Sequence, residues 1–105
     1  VYEVEIQNGL DLLDEKLGRD VWLSRIDPAR IRMLNPWGCV AAQATGVGYD
    51  GALTVLEIAY LTDAVKYGFE LQHNHLTTPI VTIQANWKTL EREWQDTIAA
   101  MKFPD

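Results

Sequence analysis

IQANWKTLEREWQDTIAAM, residues 83–101, is where the fold class can be read most directly. Ile83, Trp87, Leu90, Trp94, Ile98 and Met101 recur at steps of 4, 3, 4, 4 and 3 residues, the apolar stripe of a long amphipathic helix. Lys88, Glu91, Arg92 and Glu93 fall among its outward residues. Asn86 is the expected N-cap, with Thr82 as the earlier alternative. Immediately upstream, residues 69–82 are the least helical part of the chain. The β-branched run TTPIVTI suggests a short extended or hairpin segment there, and Pro79 argues against a central strand.

Working back to the start, Ile6, Leu10, Leu13 and Leu17 mark a first helix over 6–17, stopped at Gly18. Trp22 and Ile26 stand one turn apart. Asp27-Pro28 then opens a short helical turn, Asp27 as N-cap and Pro28 at the first helical position, after which Ile31 and Leu34 are expected to face inward. NPWGCVAAQATG, residues 35–46, repeats the start signal at Asn35-Pro36. It predicts a helix running to about Thr45 and closed by a left-handed Gly46. VGYDG reads as a loop, Ala52–Leu61 as another helix, and Thr62–Tyr67 as a brief one ended by Gly68. The expectation is a mainly α fold: one compact domain over 1–105, of about four to six helices.

Composition narrows the function classes. Hydrophobic residues make up 48% and charged residues 23% of the 105, values of a folded globular chain rather than a disordered one. One cysteine cannot form an internal disulfide, no apolar run approaches a membrane span, and VYEVEIQ lacks the basic start of a signal peptide. A cytoplasmic location is therefore expected, with no membrane association. Nine basic residues against fifteen acidic ones leave a net charge of -6, which opposes attraction to nucleic acid. Five of the basic residues (Lys16, Arg19, Arg25, Arg30, Arg32) cluster in one stretch. Leu34–Val65 contains no Lys or Arg but holds Asp50, Glu57 and Asp63.

The string NGLDLLDEKLG, a Trp before RID, then GCVAAQATG, YDGALTVL, AVKYGFEL and LEREWQDTI together resemble a family of small proteins of actinobacteria and their phages. The resemblance spans roughly residues 5–100 in the same order. It departs from the family pattern at Ala42, where glycine is expected, and at TTPIVTIQ, which looks like an extension. No activity is assigned to that family. The resemblance implies a bacterial cytoplasm, and proteins of this size in phages often bind and redirect a host protein.

Chemistry-bearing residues are few. Cys39, in the first turn of the expected 36–45 helix, would have its thiolate favoured by the helix dipole. Its neighbours Val40, Ala41, Ala42 and Ala44 instead suit a closely packed filler. Gln43 is expected to bridge backbone groups, or to serve as an oxyanion donor were Cys39 catalytic. His73 and His75 would point to one side of an extended segment, but no further metal ligands stand at a suitable spacing, so neither metal nor cofactor is expected. Asp11, Asp14 and Glu15 share the solvated side of the first helix. No phosphate loop is present, and the chain's single serine, Ser24, lies in no nucleophile elbow. Trp22, Trp87 and Trp94 are expected in the core. Trp37, after a proline at a helix start, is the tryptophan expected to be exposed.

These readings point to a non-enzymatic, acidic helical module that binds another protein with a basic surface, through Trp37, Tyr49, Asp50 and Glu57. Two alternatives stand beside it: a small thiol-dependent enzyme using Cys39 with His73 or His75, and a DNA mimic that inhibits a nucleic-acid-binding protein.

Overall fold

The 83–101 stripe belongs to the longest element of the computed structural model, which describes residues 1–104 of the chain. In chain order the elements are α1 (Glu3–Leu17), α2 (Arg19–Arg25), a 3₁₀ turn (Pro28–Arg30), α3 (Val40–Thr45), α4 (Tyr49–Val55), α5 (Leu61–Lys66) and α6 (Ile80–Lys102). The chain is mainly α, and no strand occurs among the described residues. Its Cα radius of gyration is 13.2 Å, close to the roughly 13 Å of a compact chain of about 100 residues.

The stripe of α6 faces the interior as its periodicity requires. Leu90, Trp94 and Ile98 are fully buried, Ile83 nearly so, and Trp87 and Met101 flank them half-buried. α6 begins at Ile80, before either expected cap, because Pro79 presets the entry and the amides of Thr82 and Ile83 bond to its carbonyl. The β-branched Ile80, Val81 and Thr82 extend a helix that already exists. Each added residue then gains a backbone hydrogen bond without a new nucleation cost. The expected extended segment is thus irregular chain over 69–79 leading into helix.

α1 also begins earlier than its stripe, with Glu3 and Glu5 in the first turn, where the helix dipole favours negative charge. Its middle holds Gly9. A Cβ there would run into the Tyr67 carbonyl oxygen and lie 3.0 Å from the Trp94 ring. The bare glycine lets the Tyr67–Phe69 chain lie directly on α1. Phe69 then stacks on Trp94, with centroids 5.9 Å apart, and the Trp94 indole donates to the Gly68 carbonyl at 2.7 Å. Asp14 is held by structure rather than by solvent alone. It accepts from the Trp22 indole at 2.8 Å and from Arg19 at 2.7 and 3.1 Å, and that guanidinium lowers its pKa.

Asp27 caps the 3₁₀ turn by accepting from the Ala29 amide, with Pro28 at its start. The chain on either side of this turn is pinned to α6 by three polar side chains. Glu91 accepts from the Met33 amide, Gln95 donates to the Ile31 carbonyl, and Lys102 donates to the Ile26 carbonyl. Between these anchors burial alternates: Ile31 and Met33 are in, Arg32 and Leu34 out. Leu34 is exposed, contrary to the helical spacing used to place it inside, because the chain reverses here in a turn, the Asn35 amide donating to the Arg32 carbonyl at 2.9 Å.

Asn35-Pro36 opens a turn but not the helix to Thr45. The Asn35 side chain accepts from the amides of Trp37 and Gly38 at 2.8 and 2.9 Å. The chain then straightens at Cys39 (φ -70°, ψ 163°), and α3 starts one residue later. Its end is as expected: Gly46 is left-handed at φ 80°, and Arg25 donates to the Ala44 and Thr45 carbonyls. Ala41, Ala42 and Ala44 are buried, so α3 packs closely between α2 and α4. The residues read as a loop at VGYDG include the first three of α4, which ends at Val55 rather than Leu61.

Candidate functional site

The Leu34–Gly38 turn stands at the surface beside the start of α4 and the first half of α6. It is rigid for local reasons: the two amides held by Asn35, and the Tyr49 amide donating to the Pro36 carbonyl at 2.7 Å. Leu34 is 69% and Trp37 70% exposed. The Trp37 ring lies against Gly48, where an added Cβ would come within 3.3 Å of it.

Behind this turn lies a cleft of about 210 Å³. Its lining includes Leu34, Pro36, Tyr49, Phe69, Glu70 and Trp87, together with Met33, Asn35 and Cys39. Glu70 accepts from the Tyr49 hydroxyl at 2.8 Å. Among the described residues no Lys or Arg pairs with it. Burial and this carboxylate push the Tyr49 hydroxyl pKa far up, so at neutral pH Tyr49 stays a donor. Trp87 also borders an adjoining cleft of about 370 Å³ lined by Met33, Leu34, Gln84, Lys88 and Glu91.

Of the four residues expected at an interface, Trp37, Tyr49 and Asp50 are brought to one place. Asp50 is exposed in the first turn of α4, with no ion-pair partner among the described residues. Glu57 is not with them. It sits in a left-handed turn after α4 (φ 59°) and pairs with Lys16 of α1 at 2.6 Å, so its role is to close that corner of the fold.

Cys39 is 2% exposed and stands at the N-cap of α3 rather than inside its first turn. Burial, acting above all, raises its thiol pKa, the opposite of what a nucleophile requires. Gln43 bridges the backbone: its Oε1 accepts from the Asp27 amide at 2.8 Å and its Nε2 donates to the Gly38 carbonyl at 2.9 Å. Both ends are engaged by backbone, which fixes the side chain as a bridge between Asp27 and Gly38. His73 borders a different cleft, of about 330 Å³, with its Nε2 3.0 Å from Asn86 Nδ2, while His75 is exposed. Neither histidine lines the cleft that Cys39 lines. Among the described residues no three His, Cys, Asp or Glu side chains gather as a metal ion would need.

Sequence reasoning missed Leu34, Glu70 and Trp87. Leu34 was misread by assuming helical spacing, and Trp87 lies on the core stripe but is only half-buried. Glu70 carried no signal beyond being an acid in an irregular stretch. No helix among the described residues is long and apolar enough to cross a membrane. A search of protein-family models, of curated proteins and of solved structures finds no match to the chain.

Proposed function

We propose that the chain is a protein-binding module whose contact surface is the Leu34–Trp37 turn, with Tyr49 and Asp50 beside it. The observation that supports it most is Trp37, 70% exposed yet held on a turn fixed by Asn35 and by the Tyr49 amide. A large apolar side chain shown to water in a set geometry loses little conformational entropy when a partner covers it, and tryptophan is enriched at binding hot spots. The flanking chain from Leu34 to Val65 has acids and no Lys or Arg, which suits a partner with a basic surface. In this reading the module is non-enzymatic and works in the bacterial cytoplasm. The resemblance to actinobacterial and phage proteins supports a role in binding and modulating a host protein.

The test is capture from an actinobacterial lysate by the immobilised chain, with Trp37→Ala plus Asp50→Lys as the disrupted surface and Glu57→Gln as the control. A partner held by wild type and the control, and lost by the double variant, is expected. A partner retained by the double variant, or none captured at all, overturns this reading.

A further inference from the structure

Resting on the protein-binding reading, we propose that the cleft behind Leu34 and Pro36 receives an arginine side chain of the partner, its guanidinium paired with Glu70. The cleft has two parts that suit different ends of such a side chain. Most of its lining is apolar or aromatic, Leu34, Pro36, Tyr49, Phe69 and Trp87 among it. Its one acidic group is Glu70, half-buried and engaged only through Oε2 by the Tyr49 hydroxyl. A carboxylate partly removed from water and left without a cation favours one brought in by a ligand.

The surroundings carry the same sign. Glu70 contributes to raising the pKa of both Tyr49 and Cys39, and Asp50 acts on Tyr49 in the same direction. The nearest basic side chain in the adjoining cleft, Lys88, shares that space with Glu91 and does not line this one. An anionic ligand is therefore disfavoured. Arginine suits the aromatic lining better than lysine does. Its guanidinium is flat, delocalised and weakly hydrated, pairs well with carboxylates, and associates with aromatic faces. At about 210 Å³ the cleft has room for several water-sized groups.

The experiment needs no partner. The ¹⁵N-labelled chain is titrated with N-acetylarginine amide and, separately, with the citrulline and lysine analogues, while amide and indole resonances are followed. Saturable shifts centred on Leu34, Tyr49, Glu70 and the Trp87 indole are expected with the arginine compound. Citrulline, which keeps the shape without the charge, is expected to bind at least about tenfold more weakly, a difference of about 1.4 kcal/mol. Glu70→Gln, in which Tyr49 can still donate to the amide oxygen, should weaken arginine binding by a similar factor. Equal binding of citrulline, tighter binding of lysine, or no saturable shift at these residues overturns the assignment. So does unchanged affinity in a folded Glu70→Gln variant. The citrulline comparison uses wild-type protein and stands even if that variant does not fold. Capture of a partner together with failure here would remove the arginine cleft and leave the Trp37 surface; the reverse result would do the opposite.

Discussion

Replacing Gly9 by alanine sets two effects of opposite sign against each other, and the structure says which one wins. In the middle of a helix, alanine is favoured over glycine by about 1 kcal/mol, so an open site would become more stable. Gly9 is not open: its added methyl would run into the Tyr67 carbonyl oxygen and lie 3.0 and 3.1 Å from two atoms of the Trp94 ring. The carbonyl is backbone and cannot rotate away, and the ring is fixed by its bond to the Gly68 carbonyl and its stacking on Phe69. Forcing a methyl into such packing costs about 1–3 kcal/mol, occasionally more. With the backbone clash the upper part of that range applies, and the helix gain offsets about 1 kcal/mol of it. A net loss of about 2 kcal/mol is expected, which lowers the melting temperature of a domain of this size by roughly 8–16 °C. The assay is thermal unfolding followed by far-ultraviolet circular dichroism, with a urea titration to check that the slope is unchanged. The substitution should also shift the amide resonance of Glu70, because the Tyr67–Phe69 chain that carries it must move. A variant as stable as wild type, or more so, would refute the close contact between α1 and that chain.

Cys39 should resist iodoacetamide near neutral pH in the native protein and react only once the protein is unfolded in urea; rapid native labelling would contradict its burial. Gln43→Leu removes partners from the Asp27 amide and the Gly38 carbonyl, and should cost about 2 kcal/mol in urea unfolding. Asp14→Asn keeps an acceptor for Trp22 but loses the charge facing Arg19. Since the folded state lowers the Asp14 pKa, its ionised form adds stability above the unfolded value of about 3.9. That contribution is lost as pH falls through the folded value. The deficit of Asp14→Asn should therefore be present at neutral pH, below about 1 kcal/mol for a pair this exposed, and shrink as pH falls below the unfolded value; a deficit that grows in acid would reverse the assignment. Trp37→Ala alone should leave the melting temperature within a few degrees of wild type, because most of the ring is in water.

The parts of the fold legible in the chain were those set by near neighbours. The α6 stripe, the Asp27-Pro28 cap, and the stops at Gly18 and Gly46 each follow from residues a few positions apart. The misreadings arose where local signals were right but incomplete. Asn35 does cap a turn, yet a cap does not say how far the helix continues, and the chain straightens at Cys39 before α3 begins. The β-branched residues after Pro79 were read by propensity, whereas they elongate a helix already held by Leu90, Trp94 and Ile98. Gly9 and Glu91 looked unremarkable because each acts on a partner 58 residues away or on the backbone of another element.

The same division runs through the candidate site. That Trp37 would be exposed, that the chain from Leu34 to Val65 would be acidic, and that the fold would be helical were all present in residue order, because hydrophobic period, charge and turn chemistry act over short distances. Which acids found a cation was decided elsewhere. Glu57 found Lys16, 41 residues away, and Asp14 found Arg19, while Glu70 found only the Tyr49 hydroxyl, 21 residues distant. Pairings of that kind depend on how helices pack. Packing is set by the summed fit of many side chains, and no single stretch of the sequence carries it.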